Sequence, residues 1–165
     1  MKKDRGIKIV LDTGVIISLI VINKLDILDK LFSSVNIPYA VWEEVTNIKN
    51  DIIREKAIIE LQNKVKKINN KNILKPFIDY GESEAIILTQ EIKADYLVID
   101  DKKARIIAES IGVQCIGTLG ILYKAKEKGI IKELRKLFLK LISNNRYYSK
   151  QVLNKLLEKS GERKI

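Results

Sequence analysis

Apolar residues recur along this chain in two rhythms. Ile7, Ile9, Val10 and Leu11 form a run broken only by Lys8 and ending on Asp12. A near-continuous apolar run rich in β-branched residues suits a strand buried on both faces of a parallel sheet. Val35–Pro38, the stretch DYLVIDD from Asp95 to Asp101, and Gln114–Ile116 read as three more strands. Helical spacing fills the intervals. GVIISLIVI follows Asp12, and Leu25, Leu28 and Leu31 mark a second short helix. Pro38 suits the first turn of a third, running from Tyr39 to about Asn47. Asp51–Asn63 is a fourth. The Lys- and Asn-rich connection from there to Pro76 reads as loop. Further helices are expected after Asp79, over Lys102–Ile111, from Gly117 to a stop at Gly129, over Lys132–Ile142, and over Lys150–Lys159 between Ser149 and Gly161.

Strands alternating with helices predict an α/β fold in three layers, with a mostly parallel, doubly wound central sheet. A chain of 165 residues that is 46% hydrophobic makes one domain with a real core. In such folds ligands bind beyond the carboxyl ends of the strands, where Asp12 and the pair Asp100–Asp101 stand. Taken singly, each of these is a helix cap as readily as a site residue. Two helices add inward carboxylates. Glu44 shares a stripe with Val41, Val45 and Ile48, and Glu84 shares one with Ala85 and Leu88. A carboxylate in an apolar stripe is costly unless it is paired or bound to a cation. Their neighbours read as structural: Glu43 points to solvent, and Asp79 with Glu82 spells a capping box.

Composition narrows the chemistry. The chain has no histidine, which removes imidazole ligands and His-based catalysis, and its single cysteine, Cys115, has no disulfide partner. A cation held by Asp12, Glu44, Glu84 and Asp101, with Asp100 as a further candidate ligand, would see oxygen donors only. That suits Mg²⁺ or Mn²⁺. The net charge is +10, and it is uneven. Residues 122–165 hold 13 Lys or Arg against 4 Asp or Glu, while the first 121 residues are nearly balanced. A basic end beside a balanced body suggests a polyanionic partner, although a Lys- and Asn-rich composition accounts for it equally well. The longest apolar stretch, Gly14–Ile22, is far short of a membrane span, and the opening MKKDRG runs into Asp12, unlike an export signal. A cytoplasmic protein without membrane contact is expected.

The segments IVLDT at Asp12, VWEEV at Glu44, GESEAI at Glu84 and LVIDD at Asp101, with the IDDxxAR run and GTLGIL, resemble the PIN-domain ribonucleases, VapC-type toxins among them. The resemblance covers nearly the whole chain. It implies a PIN-like three-layer α/β/α fold over residues 1–142, with residues 143–165 as a basic helical extension packed on the same domain. It also implies Mg²⁺- or Mn²⁺-dependent hydrolysis of single-stranded or structured RNA, with Asp12, Glu44, Glu84 and Asp101 at the metal. Thr13, Lys102, Lys103, Arg105 and Thr118 are the expected substrate contacts, and a homodimer and a small antitoxin protein the expected partners. Two positions depart from the pattern. Many relatives carry Ser or Asn where this chain has Gly14, and Thr or Ser where it has Ile99. Those departures keep a second reading open, a catalytically weak or inactive member that binds RNA or protein. A phosphatase-like hydrolase ranks last, since it needs a second Asp at position 14.

Overall fold

A computed structural model describes residues 6–165. The expectation for residues 1–5, that they form no export signal, lies outside these. The central sheet has five strands in the order β3-β2-β1-β4-β5, all parallel. β1 (Lys8–Leu11) lies in the middle, between β2 (Ser34–Pro38) and β4 (Tyr96–Val98), with Val10 opposite both Asn36 and Leu97. β3 (Val65–Lys66) and β5 (Cys115–Ile116) close the edges. Alternation along the strands divides the core in two. Ile9, Leu11 and Val98 point into the larger cluster, and Val10, Leu97 and Ile99 into the smaller one.

The larger layer packs α1 (Thr13–Val21), α2 (Ile27–Leu31), α3 (Tyr39–Thr46), α4 (Asp51–Leu61), α7 (Thr118–Glu127), α8 (Leu134–Ser143) and α9 (Lys150–Lys159). The opposite layer uses α5 (Tyr80–Glu91) and α6 (Lys102–Ser110). Leu153 and Leu157 of α9 and Phe138 of α8 sit in the same buried cluster as β1, so the C-terminal helices share the core of the sheet. Among the described residues no helix is long and apolar enough to cross a membrane.

The structure departs from expectation at two element boundaries. β3 forms inside the stretch expected to be loop. Two residues carry no readable alternation, and what makes them a strand is the free edge of β2, where Ile37 faces Val65 and Pro38 faces Lys66. α8 begins at Leu134 rather than Lys132, because the Glu162 carboxylate, from beyond α9, accepts the Leu134 and Arg135 N–H groups at 2.9 and 2.8 Å. A cap supplied from 28 residues away leaves no local signal. At other ends local chemistry decides. Gly129 and Gly161 stop α7 and α9 with φ of +72° and +70°, a conformation that suits glycine.

Candidate active site

Parallel strands joined through helices bring the N-termini of α1, α5 and α6 to one edge of the sheet, where Asp12, Asp79 and Asp101 hold the N-cap positions and Glu82 lies in the first turn of α5. A cleft of about 420 Å³ opens there, lined by Asp12, Thr13, Gly14, Glu44, Asp79, Glu82, Asp100, Asp101 and Arg146. The positive end of each helix dipole favours a carboxylate in its first turn. Six carboxylates around one cleft nonetheless repel one another.

Asp12 ends β1 and caps α1, and its Oδ2 accepts the Gly14 N–H at a long 3.4 Å. Only 6% of the residue is exposed. Burial foremost, then the Glu82 carboxylate and to a lesser degree Glu44, push its pKa up to about 7, against the backbone N–H groups of Thr13 and Gly14. The Glu44 carboxylate bridges two elements. Oε2 accepts the Thr13 hydroxyl, and Oε1 accepts the Gly81 N–H at 2.9 Å. A Cβ at Gly81 would stand 2.5 Å from both Glu44 oxygens, so only glycine lets that carboxylate reach the first turn of α5. Asp101 caps α6 through the Ala104 N–H at 2.8 Å.

Within α5 the roles fall differently from the sequence expectation. Glu84 is buried, as its stripe implied, but its Oε2 accepts the Ala40 N–H at 2.8 Å and it does not line the cleft. It caps α3. Glu82, read from sequence as half of a capping box, also lines the cleft. Its pKa is raised, first by burial and then by Asp101 and Asp79, with a backbone hydrogen bond at Asp79 pulling the other way. Asp79 holds the N-cap position without a side-chain cap bond. The signal that singles out Glu82 is depth along the helix. α5 starts at the carboxyl edge of the sheet, so a first-turn residue lies nearer that edge than one two positions further in.

Asp100 lines the cleft but is fully engaged. Oδ1 accepts the Thr118 N–H at 2.8 Å, while Oδ2 accepts the Thr118 and Tyr148 hydroxyls at 2.7 and 2.8 Å. Thr118, an expected substrate contact, is therefore buried behind Asp100. Arg105 is also turned away. It lines a separate cleft of about 440 Å³ with Cys115, Ile116, Tyr148 and Leu156, donates Nη2 to the Ile99 carbonyl at 3.3 Å, and keeps a buried Nε without a partner. Lys102 and Lys103 are exposed on the first turn of α6, next to Asp101 but outside the cleft lining. Of the expected substrate contacts, the structure puts Thr13 in the cleft.

The basic segment does not crowd the acidic cleft either. Lys132, Lys136 and Lys140 gather with Lys24 around a cleft of about 520 Å³ at the far end of α1. Lys150, Lys155 and Lys159 are exposed on α9. The cation that does reach the carboxylates is Arg146, in the turn between α8 and α9, which sequence reasoning counted only within the basic total.

Among the described residues, no three acidic or cysteine side chains are already grouped as ligands of one metal ion. The donor set still fits a hard divalent cation: every candidate atom is a carboxylate oxygen, and among the described residues six carboxylates line the cleft against one cation, Arg146.

A domain family described as a PIN domain matches residues 8–162, from the first strand to beyond α9. No curated protein matches the chain.

Proposed function

Because the chain belongs to the PIN-domain family, a nuclease-type fold, we propose that it is an Mg²⁺- or Mn²⁺-dependent endoribonuclease. The observation that carries this reading is the convergence of Asp12, Glu44, Glu82 and Asp101, from β1, α3, α5 and the end of β4, on one cleft at the carboxyl edge of the sheet. These four would hold the cation. Bound there, it supplies activation of water and charge stabilisation at the leaving oxygen of a phosphodiester.

The chain's own residues account for the rest. The Thr13 hydroxyl and the Gly81 N–H fix the Glu44 carboxylate from both sides, so one rotamer faces the cleft. The Asp101 cap bond to Ala104 leaves its second oxygen for a ligand. Asp100, whose oxygens accept three hydrogen bonds from Thr118 and Tyr148, acts as a wall that ties α7 and the C-terminal extension to the site. RNA as substrate, a toxin role and a small antitoxin partner are supported by the sequence resemblance.

The test is cleavage of a mixed single-stranded RNA pool with Mn²⁺, with Mg²⁺ and with EDTA. Cleavage that needs the cation and vanishes in Asp12→Asn is expected. Cleavage that persists in EDTA or in Asp12→Asn would sink the assignment.

A further inference from the structure

Arg146 is the sole cation among the described residues lining the acidic cleft, and it pairs with none of the six carboxylates there. Neutral groups hold it instead. Nε donates to Ser18 Oγ at 2.9 Å and Nη2 to the Gly14 carbonyl at 2.8 Å. Ser18 is itself buried, and its hydroxyl also meets the Tyr148 hydroxyl at 3.0 Å. The backbone aims the side chain. Asn145 takes a left-handed conformation, φ 58°, at the end of α8, and the Arg146 N–H returns to the Leu141 carbonyl at 3.0 Å. Asparagine tolerates that conformation, and the reversal sends the next residue back over the start of α1.

A guanidinium amid carboxylates ordinarily takes one in a bidentate pair. Here the tethers fix its plane without neutralising its charge, and Nη1 and the second Nη2 hydrogen stay uncommitted among the described residues. At position 14 the chain has no side chain to intervene. A Cβ there would stand 3.4 Å from Nη2 and 3.7 Å from Asp12 Oδ2, so the guanidinium and the Asp12 carboxylate flank the same open space.

We propose that Arg146 grips the phosphate of the substrate, so that the C-terminal extension supplies a working part of the site. This rests on the nuclease reading above. An acidic cleft repels a phosphodiester, and a fixed, unpaired cation on its wall supplies the opposing attraction. The planar fork suits two phosphate oxygens, a geometry that lysine does not reproduce. A purely structural role, clipping the turn to α1, is already served by Tyr148, which bonds both Ser18 and Asp100.

The experiment compares wild type with Arg146→Gln, Arg146→Lys and Arg146→Ala in three measurements: Mn²⁺ affinity by calorimetry, inorganic phosphate affinity of the Mn²⁺-loaded protein, and KM and kcat on a labelled single-stranded RNA. Arg146→Gln should keep its Mn²⁺ affinity yet weaken phosphate binding and raise KM by about ten- to a hundredfold, the range of a charge-assisted hydrogen bond. Free guanidinium ion should restore part of what Arg146→Ala loses. Wild-type KM and phosphate affinity in a folded Arg146→Gln overturn the proposal. If that variant does not fold, Arg146→Lys decides: an intermediate KM supports the fork, and a wild-type KM overturns it. If the wild type cleaves no RNA, the nuclease reading falls, and phosphate binding judges Arg146 separately. Loss in Arg146→Gln upholds the anion grip, whereas equal binding, or none in the wild type, ends it.

Discussion

The Glu84 carboxylate and the Ala40 N–H meet at 2.8 Å, joining the second turn of α5 to the first turn of α3. Both residues are buried, so the bond satisfies a helix-start donor that water cannot reach. Burial of a carboxylate thus has two sources in this molecule. Glu84 is buried as a cap, and Asp12 is buried as a wall of the cleft.

This separation predicts opposite phenotypes for the two glutamates of α5. Glu84→Ala strands the Ala40 N–H and should lower stability by about 1–3 kcal/mol, as a buried unsatisfied donor does. Glu82→Gln removes a charge that faces Asp12, Asp79 and Asp101, and should leave stability equal or higher while weakening Mn²⁺ binding and RNA cleavage. Urea unfolding in EDTA and Mn²⁺ calorimetry separate the two. Loss of Mn²⁺ binding in a folded Glu84→Ala, with Glu82→Gln unaffected, would reverse the assignment.

The second prediction concerns pH in the absence of metal. Burial, Glu82 and Glu44 raise the Asp12 pKa from 3.8 to about 7. Between those values the folded protein holds a proton that the unfolded chain has released, so stability falls as pH rises. The contribution is fully present below about 4 and gone above about 7, at a slope of up to about 1.4 kcal/mol per pH unit. Asp12→Asn should flatten that segment and be the more stable protein at pH 7.5 in EDTA. Parallel stability–pH curves for wild type and Asp12→Asn from pH 4 to 7 would contradict it.

The fold was readable because its signals are local. A run such as Ile9–Leu11 suits a strand buried on both faces, and Asp12, Asp100 and Asp101 follow strand ends whichever way the sheet is ordered. Stripe analysis also placed Glu44 and Glu84 inward; Glu84 is buried, whereas Glu44 is half-buried, as is Glu43, which was expected in solvent. It could not say what each would meet, since that depends on which helix starts where: Glu84 met Ala40, and Glu44 met Gly81. Glu82 was hidden by a pattern with a sufficient local explanation, the box with Asp79. Arg146 and Glu162 act across 128 and 28 residues, on Ser18 and Leu134, and sequence spacing carries no trace of such partners.

Gly81 offers a third prediction. Inside a helix, alanine normally stabilises relative to glycine by roughly 0.5–1 kcal/mol. At Gly81 the new Cβ would fall 2.5 Å from the Glu44 carboxylate and drive it off the Gly81 N–H. A flexible glutamate can yield, so Gly81→Ala should fold, with stability changed by less than about 1 kcal/mol. Its Mn²⁺ affinity should nonetheless fall, because Glu44 no longer presents a fixed oxygen. Gly112→Ala serves as a control of the opposite kind: no atom lies within 4 Å of its Cβ, yet φ is +85°, so it should lose stability and keep the site. Unchanged Mn²⁺ affinity in Gly81→Ala would show that the Glu44 position does not matter to the cation.

The last prediction tests how the C-terminal end holds α8. Burial pushes the Glu162 carboxyl up, but the Arg135 and Leu134 N–H groups and the Lys126 ammonium outweigh it and leave the pKa lowered. The Lys126 nitrogen lies 3.1 Å from Oε1, and both side chains are largely covered. With a lowered folded pKa, the stabilisation is present above about 4.5 and lost as pH falls through the folded value, the opposite sign to Asp12. Glu162→Ala removes a cap from the start of α8 and should cost about 0.5–2 kcal/mol at pH 7. The deficit relative to wild type should shrink in acid, because below its pKa Glu162 no longer offers a charged acceptor. The turn carrying Arg146 lies at the other end of α8, so loosening this cap should also reduce the hydrogen-exchange protection of the Arg146 N–H, which rests on the Leu141 carbonyl. A stability deficit that stays constant from pH 7 to pH 3 would rule out the charged cap.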